Sequence, residues 1–260
     1  MKHFLTNVFL AVIINANAAD IVAHRGASGE APENTLSAIS LAWKLGADAI
    51  EVDVHITADK RVVCMHDMTT GRTGGVERVI KDSNLNELRL LEYGSWKDES
   101  FKGEPIPVLE EVLALVPEGK RIYIEIKCGS EILPDLTEAI RDSGLMPDQI
   151  RFIAFNPEVI SNTKKAFPDM KCFWLTCLSK QDDGTHSPTV EDILEKLDSM
   201  QVDGLDCEAE KGVIDAMFVK RVKSAGYEFH VWTVNDAGMA KELSAIGIDS
   251  ITTDYPDRIR

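Results

Sequence analysis

From Asp20 to Thr253 the chain keeps one rhythm. A short apolar run of strand length is followed by a longer stretch whose apolar residues recur every three or four positions, the periods of a β-strand and an amphipathic helix. Strand-like runs fall at 21–23, 49–56, 121–127, 150–155, 171–177, 204–207, 228–234 and 250–253. Helical spacing falls between them, over 34–45, 109–116, 133–143, 158–166, 190–199, 214–225 and 237–246, with Asn34 or Thr35 as cap of the first. Strands that alternate with helices pair in parallel, because the helix is the crossover that a parallel pair needs. Eight such units in roughly 240 residues predict a (β/α)8 TIM barrel. A doubly wound open sheet is the alternative, but it usually carries a glycine-rich phosphate loop after its first strand, and none is present. No repeat is evident beyond this rhythm.

Two stretches depart from the pattern. Residues 67–107 hold Gly71, Gly74, Gly75, Gly94, Gly103, Pro105 and Pro107, with only a brief helical pattern at 85–91. So long a connection is usually functional or a small subdomain, and it is expected to be an inserted subdomain after the second strand, lying over the site. Residues 1–19 place Lys2 and His3 before an apolar run at 4–14, then Ala16-Asn17-Ala18. This predicts a signal peptide, too short to span a bilayer, and a secreted or periplasmic bacterial protein whose barrel occupies 20–260. No later run is long enough to cross a membrane, so stable membrane insertion is not expected.

The formal charge is −15 and no Lys/Arg cluster stands out. Affinity for nucleic acid or an anionic membrane is therefore not expected. An anionic small-molecule substrate would have to be held by a local device. The five cysteines, Cys64, Cys128, Cys172, Cys177 and Cys207, show neither disulfide-framework nor zinc spacing and read as packing. Oligomeric state has no signature.

The stretch from Ala49 to Ile56 is the most informative. Ile50, Val52, Val54 and Ile56 alternate with Glu51, Asp53 and His55, so one strand face carries two carboxylates and an imidazole. Buried carboxylates without partners cost several kcal/mol, and a divalent cation between them would remove that cost. A solvated edge strand is the plainer alternative. The other strand ends are polar too: His24-Arg25 after the first, His66-Asp67 after the run 62–65, Glu125 and Lys127 on the third, His230 and Trp232 on the seventh, Asp254 after the last. In a barrel these ends form the active-site mouth. Glu51, Asp53 and Glu125 would make a hard oxygen site suited to Mg²⁺ or Ca²⁺, which the sequence does not separate. Histidines across such a site suit proton transfer, and Arg25 and Lys127 would add donors for an oxyanion. His55 is either an outer support or solvated, His230 faces the site or packs, and Asp254 reads as a cap. His3 and His186 carry no signal.

His24-Arg25-Gly26, Pro32-Glu33-Asn34-Thr35, Glu51-Val52-Asp53-Val54, His66-Asp67, Ile124-Glu125-Ile126-Lys127 and Val231-Trp232-Thr233-Val234-Asn235 together resemble the ordered motifs of the glycerophosphodiester phosphodiesterase family, from about Ile21 to Pro256. Phe101–Pro107 fits the segment that returns from the insertion. The resemblance implies a barrel inserted after its second strand and metal-dependent hydrolysis of glycerophosphodiesters to sn-glycerol 3-phosphate and an alcohol. It implies His24 and His66 as the acid–base pair and Glu51, Asp53 and Glu125 as ligands to one divalent cation. Arg25 and Lys127 are implied as phosphate contacts, with Glu33 and Trp232 lining the pocket. A related lyase releasing a cyclic phosphate and a non-catalytic binding barrel are the other readings. Retention of both histidines and all three carboxylates weighs against the latter.

Overall fold

The computed structural model describes residues 18–182, 185–210 and 212–259. The expected leader, residues 1–19, therefore lies almost wholly outside the described residues. The elements run β1 (Asp20–Ala23), α1 (Leu36–Lys44), β2 (Ala49–Ile56), β3 (Val62–Cys64), α2 (Gly71–Gly74), α3 (Leu85–Leu88) and α4 (Leu109–Leu113). They continue with β4 (Arg121–Ile126), α5 (Leu133–Ser143), β5 (Ile150–Ala154), α6 (Pro157–Ala166), β6 (Lys171–Thr176) and a small hairpin, β7 (Ser179–Lys180) with β8 (His186–Ser187). The last are α7 (Val190–Met200), β9 (Gly204–Glu208), α8 (Ala216–Ser224), β10 (Glu228–Trp232), α9 (Ala237–Ala245) and β11 (Ser250–Thr253).

Eight strands pair in parallel in the order β1, β2, β4, β5, β6, β9, β10, β11, and β1 pairs with both β2 and β11. That last pairing closes the sheet, so the fold is a (β/α)8 barrel and not the open sheet. β3 pairs antiparallel with β2 outside the ring. Outward-facing residues such as Val52, Val54, Ile122 and Ile124 form a continuous core with the helices. Inside, Val22, Ala49, Tyr123, Ile153, Phe173 and Leu175 fill the barrel, with Trp232 packed against them. Tyr123, Phe173 and His230 meet across its axis, ring centroids 4.1 to 6.2 Å apart, and separate the two ends.

Residues 65–108 contain only short helical turns and gather around Met65, Ile80, Leu85, Leu88, Tyr93 and Ile106, a cluster apart from the main core. The strands at 121–127, 150–155, 171–177 and 228–234 end one or two residues earlier than the sequence pattern, which leaves Lys127 and Phe155 on loops above the mouth. Helix α1 is capped by Thr35, whose Oγ1 accepts from Ala38 N. Asn34 is not the cap and turns toward β2. α8 starts at Ala216, two residues later than expected, because the Asp215 side chain accepts from Met217 and Phe218 N. α4 stops at Leu113, three residues short of its apolar pattern.

The structure also exposes a repeat that the sequence rhythm hides. Gly46-Ala47-Asp48, Gln201-Val202-Asp203 and Gly247-Ile248-Asp249 precede β2, β9 and β11. In each, the first residue is left-handed (φ 86°, 56° and 95°) and ends a helix, and the second is buried. The aspartate then accepts from a backbone N–H of the neighbouring strand, Ile21, Cys172 or Phe229, at 2.8 to 3.1 Å. Each aspartate also pairs with a lysine, Lys120, Lys164 or Lys223.

Candidate active site

β2 brings Glu51, Asp53 and His55 into the barrel interior because its alternate residues, Val52 and Val54, are taken by the helix-facing core. The register of β2 with β4 sets Glu125 directly beside Asp53. The result is a triad: ligand oxygens of Glu51, Asp53 and Glu125 all lie within 4.8 Å of one another. Asn34 fixes Asp53 from both sides, Nδ2 donating to Oδ2 at 2.8 Å and Oδ1 accepting from Asp53 N at 3.1 Å. Arg25 N donates to Glu51 Oε2 at 2.9 Å, and its Nε lies 3.1 Å from Asp53 Oδ2 in an ion pair that lacks hydrogen-bond alignment. Lys127 Nζ donates to Glu125 Oε1 at 2.7 Å and lies 3.6 Å from Asp53 Oδ1.

These contacts leave Glu51 Oε1 and Asp53 Oδ1 buried without a hydrogen-bond partner. Burial and then the charges of Asp53 and Glu125 push the Glu51 carboxyl well above its ordinary range. Burial and the Asp53 charge hold Glu125 up at about 7. Asp53 goes the other way: burial works against ionisation, but Arg25, Lys127 and the Asn34 hydrogen bond outweigh it. Two cations face three carboxylates, one charge short of neutral, and a dication would turn that deficit into an excess. Orphaned carboxylate oxygens at mutual ligand distance fit Mg²⁺ or Ca²⁺, both of which take oxygen donors.

Two imidazoles stand over the triad, each held by an acid. His24 Nδ1 donates to Asp254 Oδ1 at 2.7 Å, and Asp254 is fixed in turn by Ser28 and Asn235. His66 Nδ1 donates to Asp67 Oδ1 at 2.6 Å. With Nδ1 committed to a carboxylate, Nε2 is the nitrogen left to exchange a proton. Arg72, from the insertion, donates to Asp67 and to both oxygens of Glu33, and Glu33 also accepts from Arg25. Its hydrogen bonds help hold Asp67 at about 2, while at Asp254 the His24 hydrogen bond overcomes burial to the same value. Gly26, beside the histidine turn, has φ 79°, and a Cβ there would stand 2.6 Å from the Ala38 carbonyl carbon, so the turn rests directly on α1. Arg25 and Asn34 are non-glycine residues with positive φ, 54° and 59°. Such backbone persists where its surroundings over-determine it.

A cavity of about 260 Å³ joins these groups. His24, Arg25, Glu51, His66, Glu125 and Lys127 form one side, and Ile153, Phe155, Leu175, Asp206, Trp232 and Thr252 the other. Asp53 sits fully buried behind the wall, and Glu33 stands behind Arg25, drawn off the cavity by two guanidinium groups. His55 is buried, its Nε2 3.3 Å from the His66 carbonyl. His230 is in the floor, sharing a hydrogen bond of 2.7 Å with Ser250 Oγ. Burial holds it neutral, down at about 3, so it packs and does not join the site. Asp254 orients His24 and does more than cap a turn. Asp67, Arg72 and Asp206 were without a role on sequence alone, and Asn34, a candidate helix cap there, instead fixes Asp53. For Asp67 and Asp254 a usable signal is an acid at the mouth within reach of a histidine. A larger cavity, about 1060 Å³, opens at the opposite end. Its acids are matched there: Asp20 with Arg121, Glu228 with Lys171 and Asp249 with Lys223.

The model of the glycerophosphoryl diester phosphodiesterase family matches residues 24–258. YhdW of Bacillus subtilis is 32% identical over 245 residues, 92% of this chain and 96% of that protein. A glycerophosphodiester phosphodiesterase of Caldanaerobacter subterraneus subsp. tengcongensis is 30% identical over 254 residues, 92% of this chain and 95% of that one. Among solved structures, the Oleispira antarctica phosphodiesterase OLEI02445, in complex with the product sn-glycerol-3-phosphate, superposes with a TM-score of 0.82. It is 28% identical, covering 93% of this chain and 95% of that one.

Proposed function

The chain belongs to the glycerophosphoryl diester phosphodiesterase family and is a phosphodiesterase, and from that premise we propose that it cleaves glycerophosphodiesters to sn-glycerol 3-phosphate and an alcohol by metal-dependent, two-histidine catalysis. The observation that carries this reading is one cavity wall holding Glu51, Glu125, Lys127 and both carboxylate-held imidazoles, with Asp53 directly behind. Glu51, Asp53 and Glu125 would hold the divalent cation, Mg²⁺ or Ca²⁺. Bound there, it supplies Lewis-acid stabilisation of charge on the phosphodiester.

The side chains do the rest. Arg25 and Lys127 face the phosphate oxygens while staying tied to the triad, which fixes where they stand. One imidazole takes the proton of the glycerol hydroxyl next to the ester through Nε2 as that oxygen attacks phosphorus. The other delivers a proton to the departing alcohol, and water opens the cyclic phosphate with the roles reversed. Asp254 and Asp67 hold the rings in position and stabilise each imidazolium as it forms. Trp232 forms a side of the pocket that suits the carbon face of glycerol. The leader-like residues 1–19 support action outside the cytoplasm, in the periplasm or medium.

The test is release of sn-glycerol 3-phosphate from glycerophosphocholine by the purified chain, with EDTA and then with added Mg²⁺ or Ca²⁺. Activity removed by EDTA and restored by one ion is the expected result. Accumulation of a cyclic phosphate would assign a lyase, and binding without turnover a non-catalytic barrel. His24→Ala and His66→Ala should each cost about 10²- to 10⁴-fold in turnover. Loss of less than tenfold in both would remove the acid–base assignment.

A further inference from the structure

One ionisable group in the cavity has no part in this scheme. Asp206 lies on β9 between Leu205 and Cys207, both taken into the helix-facing core, so its side chain points into the barrel. It is 2% exposed, lines the catalytic cavity, and its Oδ1 is buried with no hydrogen-bond partner. Native proteins rarely leave such an oxygen unpaired unless a ligand or water completes it.

Its surroundings restrict what that ligand is. Among the described residues the group close enough to share a metal is Glu51, Asp53 and Glu125, without Asp206. Arg25 and Lys127 are held on the opposite wall by Glu33, Glu51, Asp53 and Glu125, and among the described residues no cation pairs with Asp206, so nothing on its own side draws a phosphate to it. Its cavity neighbours are Ile153, Leu175, Trp232 and Thr252, and Trp232 Nε1 donates to the Asp206 carbonyl at 3.4 Å. An acid on a wall otherwise built of aliphatic and aromatic carbon and one threonine, with the like charge of Glu125 acting on it, suits a neutral hydroxyl on a carbon frame. A hydroxyl both donates and accepts, so it pairs with the carboxyl in either protonation state. Depth points the same way. Through its register partner Leu175, Asp206 stands one inward-facing position above Phe173, which closes the floor with Tyr123 and His230.

We propose that the Asp206 carboxyl binds the terminal hydroxyl of the glycerol moiety, the one remote from the phosphodiester, and thereby selects a polyol over a simple diol ester. The inference rests on the phosphodiesterase reading. Asp206 is a specificity residue that touches substrate away from the bond that breaks.

The experiment compares glycerophosphocholine with its 1-deoxy analogue, the phosphocholine ester of propane-1,2-diol, which keeps the hydroxyl next to the ester. Wild-type protein should favour glycerophosphocholine by tenfold or more in kcat/KM, because a site built to bond a hydroxyl is left unpaired by an analogue lacking it. This comparison needs no variant to fold, and equal kcat/KM values would overturn the inference alone. In Asp206→Ala, kcat/KM for glycerophosphocholine should fall about 10- to 100-fold while that for the analogue changes less than about threefold, collapsing the preference. Asp206→Asn, which keeps a donor and an acceptor, should retain most of it. Equal losses on both substrates, in either variant, would assign Asp206 a structural or general catalytic part and overturn the proposal. A wild-type protein that cleaves neither ester would bring down the phosphodiesterase reading, and this one with it.

Discussion

Asp203 and Asp53 are aspartates of the same barrel, one toward each end, and they live under opposite rules. Asp203, just before β9, accepts from Cys172 N and pairs with Lys164 at 2.9 Å. Asp48 and Asp249 repeat that arrangement before β2 and β11. Around this N-terminal mouth each acid that lines the cavity, Asp20, Glu228 and Asp249, has a cation of its own, Arg121, Lys171 and Lys223. Asp53, toward the other mouth, shares its two cations with Glu51 and Glu125, and two oxygens of that group have no partner. One end spends its charged groups on tying strand to strand. The other keeps like charges together, which costs stability and creates a place for a cation and an anion to be held. A barrel can do both because the aromatic layer of Tyr123, Phe173 and His230 insulates the ends from each other.

The sharpest way to break this contrast is to remove one charge at the catalytic end. Glu51→Gln should lower turnover on the order of 10³-fold, since in the proposed scheme it takes away one of the three carboxylates that would hold the cation. The melting temperature of the metal-free protein should hold or rise, because a buried carboxylate beside two others is no longer forced to exist. Scanning calorimetry with parallel assays checks both halves. A clear fall in melting temperature would mean that the triad is a structural cluster like those at the opposite mouth.

The next effect concerns the acids behind the imidazoles. Asp254→Asn should lower kcat by about 10²-fold and Asp67→Asn by less, about tenfold, since an amide cannot stabilise an imidazolium as a carboxylate does. Asp254 is the better enclosed, with Ser28 and Asn235 around it, whereas Asp67 shares its charge with the half-exposed Arg72. Equal kcat for wild type and both variants would show that the rings need no carboxylate partner.

At the N-terminal mouth the expected pattern inverts. Asp203→Ala leaves the Cys172 N–H unpaired, a loss of about 1–3 kcal/mol in unfolding free energy. Turnover per folded molecule should stay within about twofold of wild type. Urea unfolding followed alongside activity separates the two quantities, and a rate loss without a stability loss would erase the division of labour between the ends.

The same division decides what could be read from the sequence. The barrel was legible because strand and helix periods reflect burial, and burial is what the interior rewards. The triad was legible because Glu51 and Asp53 sit two apart on a strand and Glu125 repeats the pattern on the next. Asp206 was not, because one acid in the short run Gly204-Leu205-Asp206-Cys207 resembles any turn-flanking aspartate until strand pairing shows it pointing inward. Arg72 was hidden for a different reason. It comes from an insertion without period, and only the folded chain brings it to Glu33 and Asp67, 39 and 5 residues away. The Gly-x-Asp repeat escaped because Gln201 replaces glycine in one copy, and its meaning lies in a neighbouring strand's N–H.

The smallest expected effect is in pH dependence, and it bears directly on the unmatched charges. Glu125 titrates at about 7 in the folded chain, above its ordinary value of 4.5, and Glu51 is also raised. A carboxyl raised on folding contributes stability while protonated and loses it as pH climbs through the folded value. Below about 6.5 the buried neutral His230 opposes this trend, because the unfolded chain takes up its proton first. The clean window therefore runs from about pH 6.5 to 8, where the metal-free protein should melt at falling temperature as pH rises. Mg²⁺ or Ca²⁺ should flatten the slope, since the ion displaces the same protons, and its affinity measured by calorimetry should grow severalfold across the window. Glu125→Gln should flatten the slope and Asp203→Ala should leave it unchanged although it lowers the whole curve. A slope that vanished in Asp203→Ala instead would place the unmatched charge at the wrong end of the barrel.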